Sequence, residues 1–568
     1  MNLKQIFNNL IKSRYLIFYV FLILLIFYYL PFLKYSGIVW GHDLIYHLSR
    51  AVGAYDQLKL GIFPSKVMGG FYGGYGYAVG IFYPTGLIYL MSFLLYFGLD
   101  VVNSYQIWAV IITLFTMISM YYSSIKIIPS KKFALIATFI YTFSVYRNYT
   151  DLIDRAALGE YIVFIFLPIV FSSIYLIVHK KENQWFWLSV GMVGILTSHL
   201  ISTIWVILLL VIYTLIYNKD VFQTKTLITI VKAALFTILI SIYYWLPMLE
   251  MMASDEFRYH HPWTKLSDNI ITEWNKFFFI DPSINQFPHG IETWLLILLV
   301  IALITQFKKI IHHPFLKFSL IILLFLFIFI SNIIPVEYLS IFNFMQFPWR
   351  LYLFITYFLC IIVAYYITQL KLNTQVILMS LIVVVTYTGY VRGFDQLYKS
   401  RQETIYYTFP RYQVEHYYGE FLPWWTDMDY LIENVDPYLI SISNPIDLTY
   451  EKKTTTFDIY FNQNEYTHTT LEIPLIYYIG YSAYLTSGDT TVSLPIERTE
   501  TSLMSINLQE YKEGKIHFYY QGTRIQKIST YISLLTVFLL ILFYGLKWLI
   551  QFPAVKKLIP HLNKTNLK

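Results

Sequence analysis

The densest set of chemically capable side chains is Gly41-His42-Asp43-Leu44-Ile45-Tyr46-His47-Leu48-Ser49-Arg50. Asp43, His47 and Arg50 stand at i, i+4 and i+7, so a helix through them carries all three on one face. A carboxylate, an imidazole and a guanidinium facing together suit acid–base work on an anionic substrate. Asp43 would act as general base, with Arg50 or His47 binding the anion. An ordinary interfacial helix with a solvated stripe has the same spacing, and spacing alone divides the two readings about evenly. Polar clusters at membrane depth tend to be functional, which gives the first reading its weight.

A second set lies in Arg147-Asn148-Tyr149-Thr150-Asp151-Leu152-Ile153-Asp154-Arg155-Ala156-Ala157-Leu158-Gly159-Glu160. As a solvated turn it would hold local ion pairs worth ~0–1 kcal/mol each. In a functional reading, Asp154, Arg155 and Glu160 line the same cavity as Asp43. Arg350 closes Gln346-Phe347-Pro348-Trp349-Arg350 at a helix entry. At mid-bilayer an Arg costs about 2.5–3.5 kcal/mol, and less near the interface. It either snorkels or forks onto a lipid phosphate. His199, in Thr197-Ser198-His199-Leu200, sits at a turn where a lone His is more often structural. Glu420 stands in Tyr417-Tyr418-Gly419-Glu420-Phe421-Leu422-Pro423-Trp424-Trp425. We read that stretch as a seam resting on the membrane interface rather than a glycan platform. Gly69-Gly70-Phe71-Tyr72-Gly73-Gly74-Tyr75-Gly76-Tyr77 lacks the Lys-Ser/Thr of a phosphate loop. It reads as a connector slightly better than as a sugar-stacking loop.

Metal chemistry finds little support. The lone Cys360 excludes cysteine-based metal sites and an intrachain disulfide. The pairs His260-His261 and His312-His313 are adjacent, a poor arrangement for one ion. No cofactor is assigned, and a divalent metal is left open.

These groups must be positioned by membrane elements. Of 568 residues, 57% are apolar and only 13% charged, against about a quarter charged in soluble domains. Lipid must therefore solvate much of the surface. A net charge of +7 with no dense basic run argues against nucleic acid. Apolar runs predict spanning helices near Tyr15–Leu33, Asn103–Ile125, Phe133–Tyr146, Tyr161–Val178, Trp185–Leu196, His199–Tyr217, Leu227–Leu246, Thr293–Thr305, Phe318–Ile334, Trp349–Thr368, Gln375–Tyr390 and Ser529–Leu549. With Ile81–Phe97 re-entrant rather than crossing, Lys126, Lys131, Lys132, Lys180, Lys181, Lys219, Lys225, Lys308, Lys309, Lys317, Lys371, Lys547, Lys556 and Lys557 all fall on one side, the cytoplasmic one. The first outer loop then spans 34–100. A β-rich outer domain spans 392–527, with strands expected over Thr454–Phe461, Thr467–Ile473, Thr490–Leu494 and Lys515–Tyr520.

The set Gly41-His42-Asp43…His47-Leu48-Ser49-Arg50, Phe63-Pro64, Gly73-Gly74-Tyr75-Gly76-Tyr77 and Phe82-Tyr83-Pro84 resembles the large first outer loop of multi-spanning GT-C glycosyltransferases. More closely, it resembles the bacterial membrane family labelled "6-pyruvoyl-tetrahydropterin synthase-related" and its YfhO-like relatives. Arg155-Ala156-Ala157-Leu158-Gly159-Glu160, Ser198-His199-Leu200, Gln346-Phe347-Pro348-Trp349-Arg350 and Gly419-Glu420-Phe421-Leu422-Pro423 extend the likeness over most of the membrane part. The pterin label has no counterpart here, because a His-rich zinc site is missing from the sequence.

The resemblance implies an all-α polytopic, GT-C-like fold of ~12 spans plus a re-entrant helix, with a β-rich extracytoplasmic domain before the last span. Its parts are a membrane module over 1–391, the outer domain over 392–527, and a last span with a cytoplasmic tail over 528–568. Lysine placement leads us to expect a plasma-membrane protein with both termini cytoplasmic. The resemblance also implies a hexosyltransferase that moves a sugar from a polyprenyl-phosphate carrier to a cell-envelope glycan such as teichoic acid or a wall polysaccharide. Asp43 matches the family's first-loop acid and would be the base. His42, His47, Arg50, Asp154, Arg155, Glu160, His199, Arg350 and Glu420 would bind substrate or its phosphate. The neighbouring second acid of many members is replaced here, with His42 before Asp43 and Leu44 after it, which puts a metal role in doubt. Two rivals stand beside this reading: a transporter or flippase of lipid-linked glycans, and a non-catalytic envelope assembly protein.

Overall fold

The computed structural model describes residues 14–34, 37–261, 264–269, 278–279, 290–331, 333, 340–402, 405–406, 419–463 and 468–549. Both termini lie outside the described residues, as do Tyr417 and Tyr418. Each apolar run forms a helix: Arg14–Lys34, Val101–Ile127, Lys131–Thr142, Leu158–His179, Trp185–Leu196, Leu200–Ile216, Thr224–Ser254, Thr293–His312, Pro314–Ile330, Tyr352–Thr368, Leu372–Ser400 and Arg524–Leu549. Among the described residues, seven helices are long and apolar enough to cross a membrane. Lys131–Thr142 and Trp185–Leu196 have 12 residues each. At 1.5 Å per residue they are ~18 Å long, short of the ~30 Å hydrocarbon core. Neither regular helix is long enough to cross by itself; the π-helix Tyr146–Asp154 follows the first.

Burial sorts the helices. In Leu158–His179 and in Pro348–Thr368, 89% of the apolar window is inside the protein, against 11% in Arg524–Trp548. A helix that is apolar all round and buried forms the centre of a bundle. The first two are that centre, while the last helix lies against Thr224–Ser254 on the rim. The Lys-bearing turns meet one another: Lys181 is 3.8 Å from Asp220, and the Tyr217 hydroxyl donates to the Pro314 carbonyl at 2.6 Å. The turns at the opposite ends carry the acids, histidines and arginines singled out above.

The segment Ile81–Phe97 forms short pieces, Val79–Phe82, Gly86–Ile88 and Tyr89–Tyr96. None is long enough to cross. The expected strands appear as Thr456–Asn462, Thr470–Ile476, Thr490–Leu494 and Glu513–Tyr520. They belong to a five-stranded and a four-stranded antiparallel sheet. Alternation along Thr456–Asn462 sends Phe457, Ile459 and Phe461 inward, where they share a core with Leu471, Ile473, Met504 and Ile506 of the other sheet.

This domain is seated on the first loop. The Tyr75 hydroxyl donates to the Leu431 carbonyl at 2.7 Å, Lys452 Nζ to the Gly74 carbonyl at 2.8 Å, and the Ile476 amide to the Tyr75 carbonyl at 2.9 Å. A Cβ on Gly69 would lie 2.7 Å from the Thr454 carbonyl carbon. The Gly/Tyr stretch is thus a domain interface. Its Tyr72, Tyr75 and Tyr77 rings are buried and unavailable for stacking on sugar.

Candidate functional site

Gly41 sets the geometry. An added Cβ would stand 2.6 Å from the Ile153 carbonyl oxygen and 2.9 Å from Ala156 Cβ. Only glycine admits the contact between these two segments. That contact lets the His42 amide donate to the Asp154 carbonyl at 3.1 Å and the Asp43 amide to the Arg155 carbonyl at 2.7 Å. Asp43 then caps the helix Leu44–Lys59, yet its side chain takes no capping hydrogen bond. Acids at this position usually accept one. The half-buried carboxylate lies within electrostatic reach of Arg155 and Arg350. Burial pushes the Asp43 carboxyl up, Arg155 and Arg350 pull it down, and Glu160 opposes them.

The cations are locked by Glu160. Residues Tyr146–Asp154 form a π-helix, a rare form frequent at functional sites. After it, Ala156 turns at φ +52°, a strained left-handed angle for an L-residue. The turn folds Glu160 back onto Arg155. Arg155 Nη1 and Nη2 donate to the two Glu160 oxygens at 3.0 Å each, the strong bidentate form of this bond. Asp151 Oδ1 accepts from the same Nη1 at 3.0 Å, while Asp151 Oδ2 is buried without a partner among the described residues. Burial, reinforced by Glu160, pushes the Asp151 carboxyl well above the ordinary range. Arg350, on the turn Pro348–Leu351, sets Nε 3.3 Å from Glu160 Oε1. Its Nη1 donates to the Met345 carbonyl at 2.7 Å and to Gln346 Oε1 at 3.2 Å. No hydrogen bond reaches its Nη2 among the described residues. His199 Nε2 is 3.9 Å from Glu160. Its Nδ1 meets the Ser202 hydroxyl at 2.8 Å, and burial pushes the ring down to about 4, so it is neutral at physiological pH.

His47 and Arg50 form a neighbouring cluster. Arg50 is fully buried, its Nη1 3.0 Å from His47 Nδ1 and its Nη2 donating to the Pro84 carbonyl at 2.5 Å. Its guanidinium stacks 4.3 Å from the Tyr83 ring centre. Burial, then Arg50, pushes His47 well below its usual value. Tyr83 joins the clusters: its ring is 6.2 Å from His199, and its hydroxyl senses Arg50, Glu160, Asp43 and Arg350. Glu420 acts on the Tyr46 and Tyr72 hydroxyls electrostatically. His42 packs edge-on against Trp40 at 5.3 Å, lowered by burial. Asp154 is committed to Arg401, 2.6 Å away.

The structure therefore gathers Asp43, Arg155, Glu160, His199 and Arg350 in one place and sets His47, Arg50 and Glu420 beside them. His42 and Asp154 stand behind Asp43. Sequence reasoning missed Asp151, Tyr83, Arg147 and Arg401. Arg147 and Asp151 sat in a stretch already singled out, and Tyr83 in a motif quoted only for resemblance. Arg401 gave no signal. Buried Arg147 packs over the Tyr161 ring at 4.0 Å and bonds Thr113 and Thr116, holding the π-helix to Val101–Ile127. Among the described residues, no group of three or more His, Cys, Asp or Glu is arranged to hold a metal ion.

Comparison with known proteins adds little. No family model matches the chain, and no curated protein matches it. Among solved structures, the chain is similar to ArnT from Cupriavidus metallidurans bound to undecaprenyl phosphate, with 12% identity and a TM-score of 0.39. The alignment covers 66% of this chain and 64% of that one.

Proposed function

We propose that this chain is a membrane glycosyltransferase of the GT-C type, acting at the extracytoplasmic face. It would move a sugar from a polyprenyl phosphate to a hydroxyl of an envelope glycan such as teichoic acid or a wall polysaccharide. One observation carries this reading. A helix-capping carboxylate, Asp43, declines its capping bond and stands beside two arginines fixed by a single glutamate.

The chemistry needs one base and a cationic grip. A lipid phosphate leaves without prior protonation, so the acid of a two-carboxylate glycosidase is not required. Asp43, its basicity raised by burial, takes the proton from the acceptor hydroxyl as the oxygen bonds to the anomeric carbon. The bond to the phosphate oxygen breaks, and the phosphate departs with its electron pair. Arg350 offers Nη2 to that phosphate, preorganised by Glu160 and Gln346. Tyr83, held by Arg50, and neutral His199 orient the sugar. A flippase would need alternating access, and the polar groups here crowd one end of the bundle rather than its middle.

Asp43→Asn, inserted at wild-type levels and assayed in membranes supplied with polyprenyl-phosphate sugars, should lose transfer by ~10²-fold or more. Undiminished transfer would remove Asp43 as the base. Absence of transfer by the wild type with every donor would favour a transport or assembly role.

A further inference from the structure

We infer that Arg401 is a positioning residue for Asp43, and that residues at the entry to the β-rich domain strap down the segment presenting the base. The kinetic part of this inference rests on the transferase reading; the structural part does not.

The strap has three attachments. Tyr398, in the last turn of Leu372–Ser400, donates from its hydroxyl to the Gly37 carbonyl at 2.7 Å. Strand Ile405–Tyr406 pairs antiparallel with Ile38–Val39, with Ile38 opposite Tyr406 and Val39 opposite Ile405. Between them, Arg401 Nη1 donates to the Trp40 carbonyl at 2.8 Å, and its guanidinium lies 5.1 Å from the Trp40 ring centre. Nη2 of the same fork donates to Asp154 Oδ1 at 2.6 Å. Asp154 in turn accepts the His42 amide on its backbone carbonyl, and Arg155 accepts that of Asp43. One side chain therefore ties both walls of the slot from which Asp43 projects.

The pair is also hard to replace. The Arg401 side chain is 19% exposed and that of Asp154 only 4%, so removing either partner strands the other in a poorly solvated place. A planar fork satisfies two fixed acceptors at once, whereas a lysine ammonium is a compact point charge on a flexible stem. The largest charge effects on the Asp43 carboxyl come from Arg155, Arg350, Glu160 and His42, and Arg401 is not among them. Arg401 works through placement rather than through base strength.

The test uses the full-length protein. Arg401→Gln should speed hydrogen exchange at the amides of 37–43. It should lower kcat by roughly 10²-fold, the scale of a misplacement near 1 Å. The donor KM and the acid limb of the pH–rate profile should stay where they are. Arg401→Lys should recover part of kcat. Asp154→Asn should reproduce the loss, and combining it with Arg401→Gln should add little. Unchanged exchange over 37–43, retained kcat, or a displaced acid limb would each overturn the inference. Should Arg401→Gln fail to fold, Arg401→Lys and Asp154→Asn carry the same readouts. If the wild type transfers no sugar from any donor, the transferase reading falls, and the exchange measurement still decides the strap.

Discussion

Replacing Glu160 by Gln and, separately, Asp151 by Asn removes in turn each of the two carboxylates that touch Arg155. Both stand 3.0 Å from the guanidinium, and both are buried. Distance alone would make the two variants equivalent; the electrostatics make them unequal. Glu160 takes both arms of the Arg155 fork and also serves Arg350. Its amide keeps one acceptor, turns a donor toward donors, and leaves two arginines short of a counter-charge. Breaking a buried ion pair costs about 3–5 kcal/mol. Asp151 remains at 3.0 Å and ionises more readily once Glu160 no longer repels it, so the expected cost is about 3 kcal/mol, the low end of that range.

Asp151 is the opposite case. Burial and Glu160 keep its carboxyl protonated above the ordinary range, and its Oδ2 has no partner among the described residues. An amide of the same shape keeps the Oδ1 bond, so Asp151→Asn should cost under about 1 kcal/mol, the scale of a single exchanged hydrogen bond. The proton linkage gives a second readout. Folded Asp151 holds its proton more tightly than the unfolded chain does. The stability it contributes is therefore present at low pH and falls as pH rises from the ordinary carboxylate value toward the raised one. Asp151→Asn should flatten that slope. Chemical denaturation in mixed micelles across pH measures both effects. Equal destabilisation by the two variants, or an unchanged slope in Asp151→Asn, would refute this assignment of charge.

Two further outcomes are expected. Arg350→Gln removes one of the cations holding the Asp43 carboxyl down. The acid limb of kcat/KM should then move to higher pH, and donor binding should weaken by roughly 10–10²-fold, as for a lost charge-assisted bond; an unmoved limb with unchanged binding would dismiss that role. For orientation, the native Cys360 is buried and gives little background. Asp489→Cys, in the exposed turn before Thr490–Leu494, should label with an impermeant thiol reagent in intact cells, whereas labelling only after lysis would invert the map.

Much of the membrane architecture was legible because lipid leaves an apolar run few choices. Each run had to be a helix to satisfy its own backbone. The strands of the β-rich domain were legible from period-two alternation, as in Thr456–Asn462. Helix length was less legible. Lys131–Thr142 ends early because the chain turns into a buried π-helix, whose backbone is satisfied inside the protein and leaves no compositional mark. The Gly69–Tyr77 stretch read as a connector because the domain that covers it lies far along the chain.

Hydropathy and charge are local properties, so the candidate residues and the apolar helices could be named from the sequence alone. Which of those residues come together is a matter of folding. Gly41 abutting Ile153, Ala156 folding Glu160 onto Arg155, and Arg350 arriving from a helix entry far along the chain are non-local contacts. Arg401 is the extreme case, an unremarkable cation in sequence that reaches Trp40 and Asp154 through folding alone. Local spacing encodes a shared helix face; it carries no record of which distant chain segment will stand opposite.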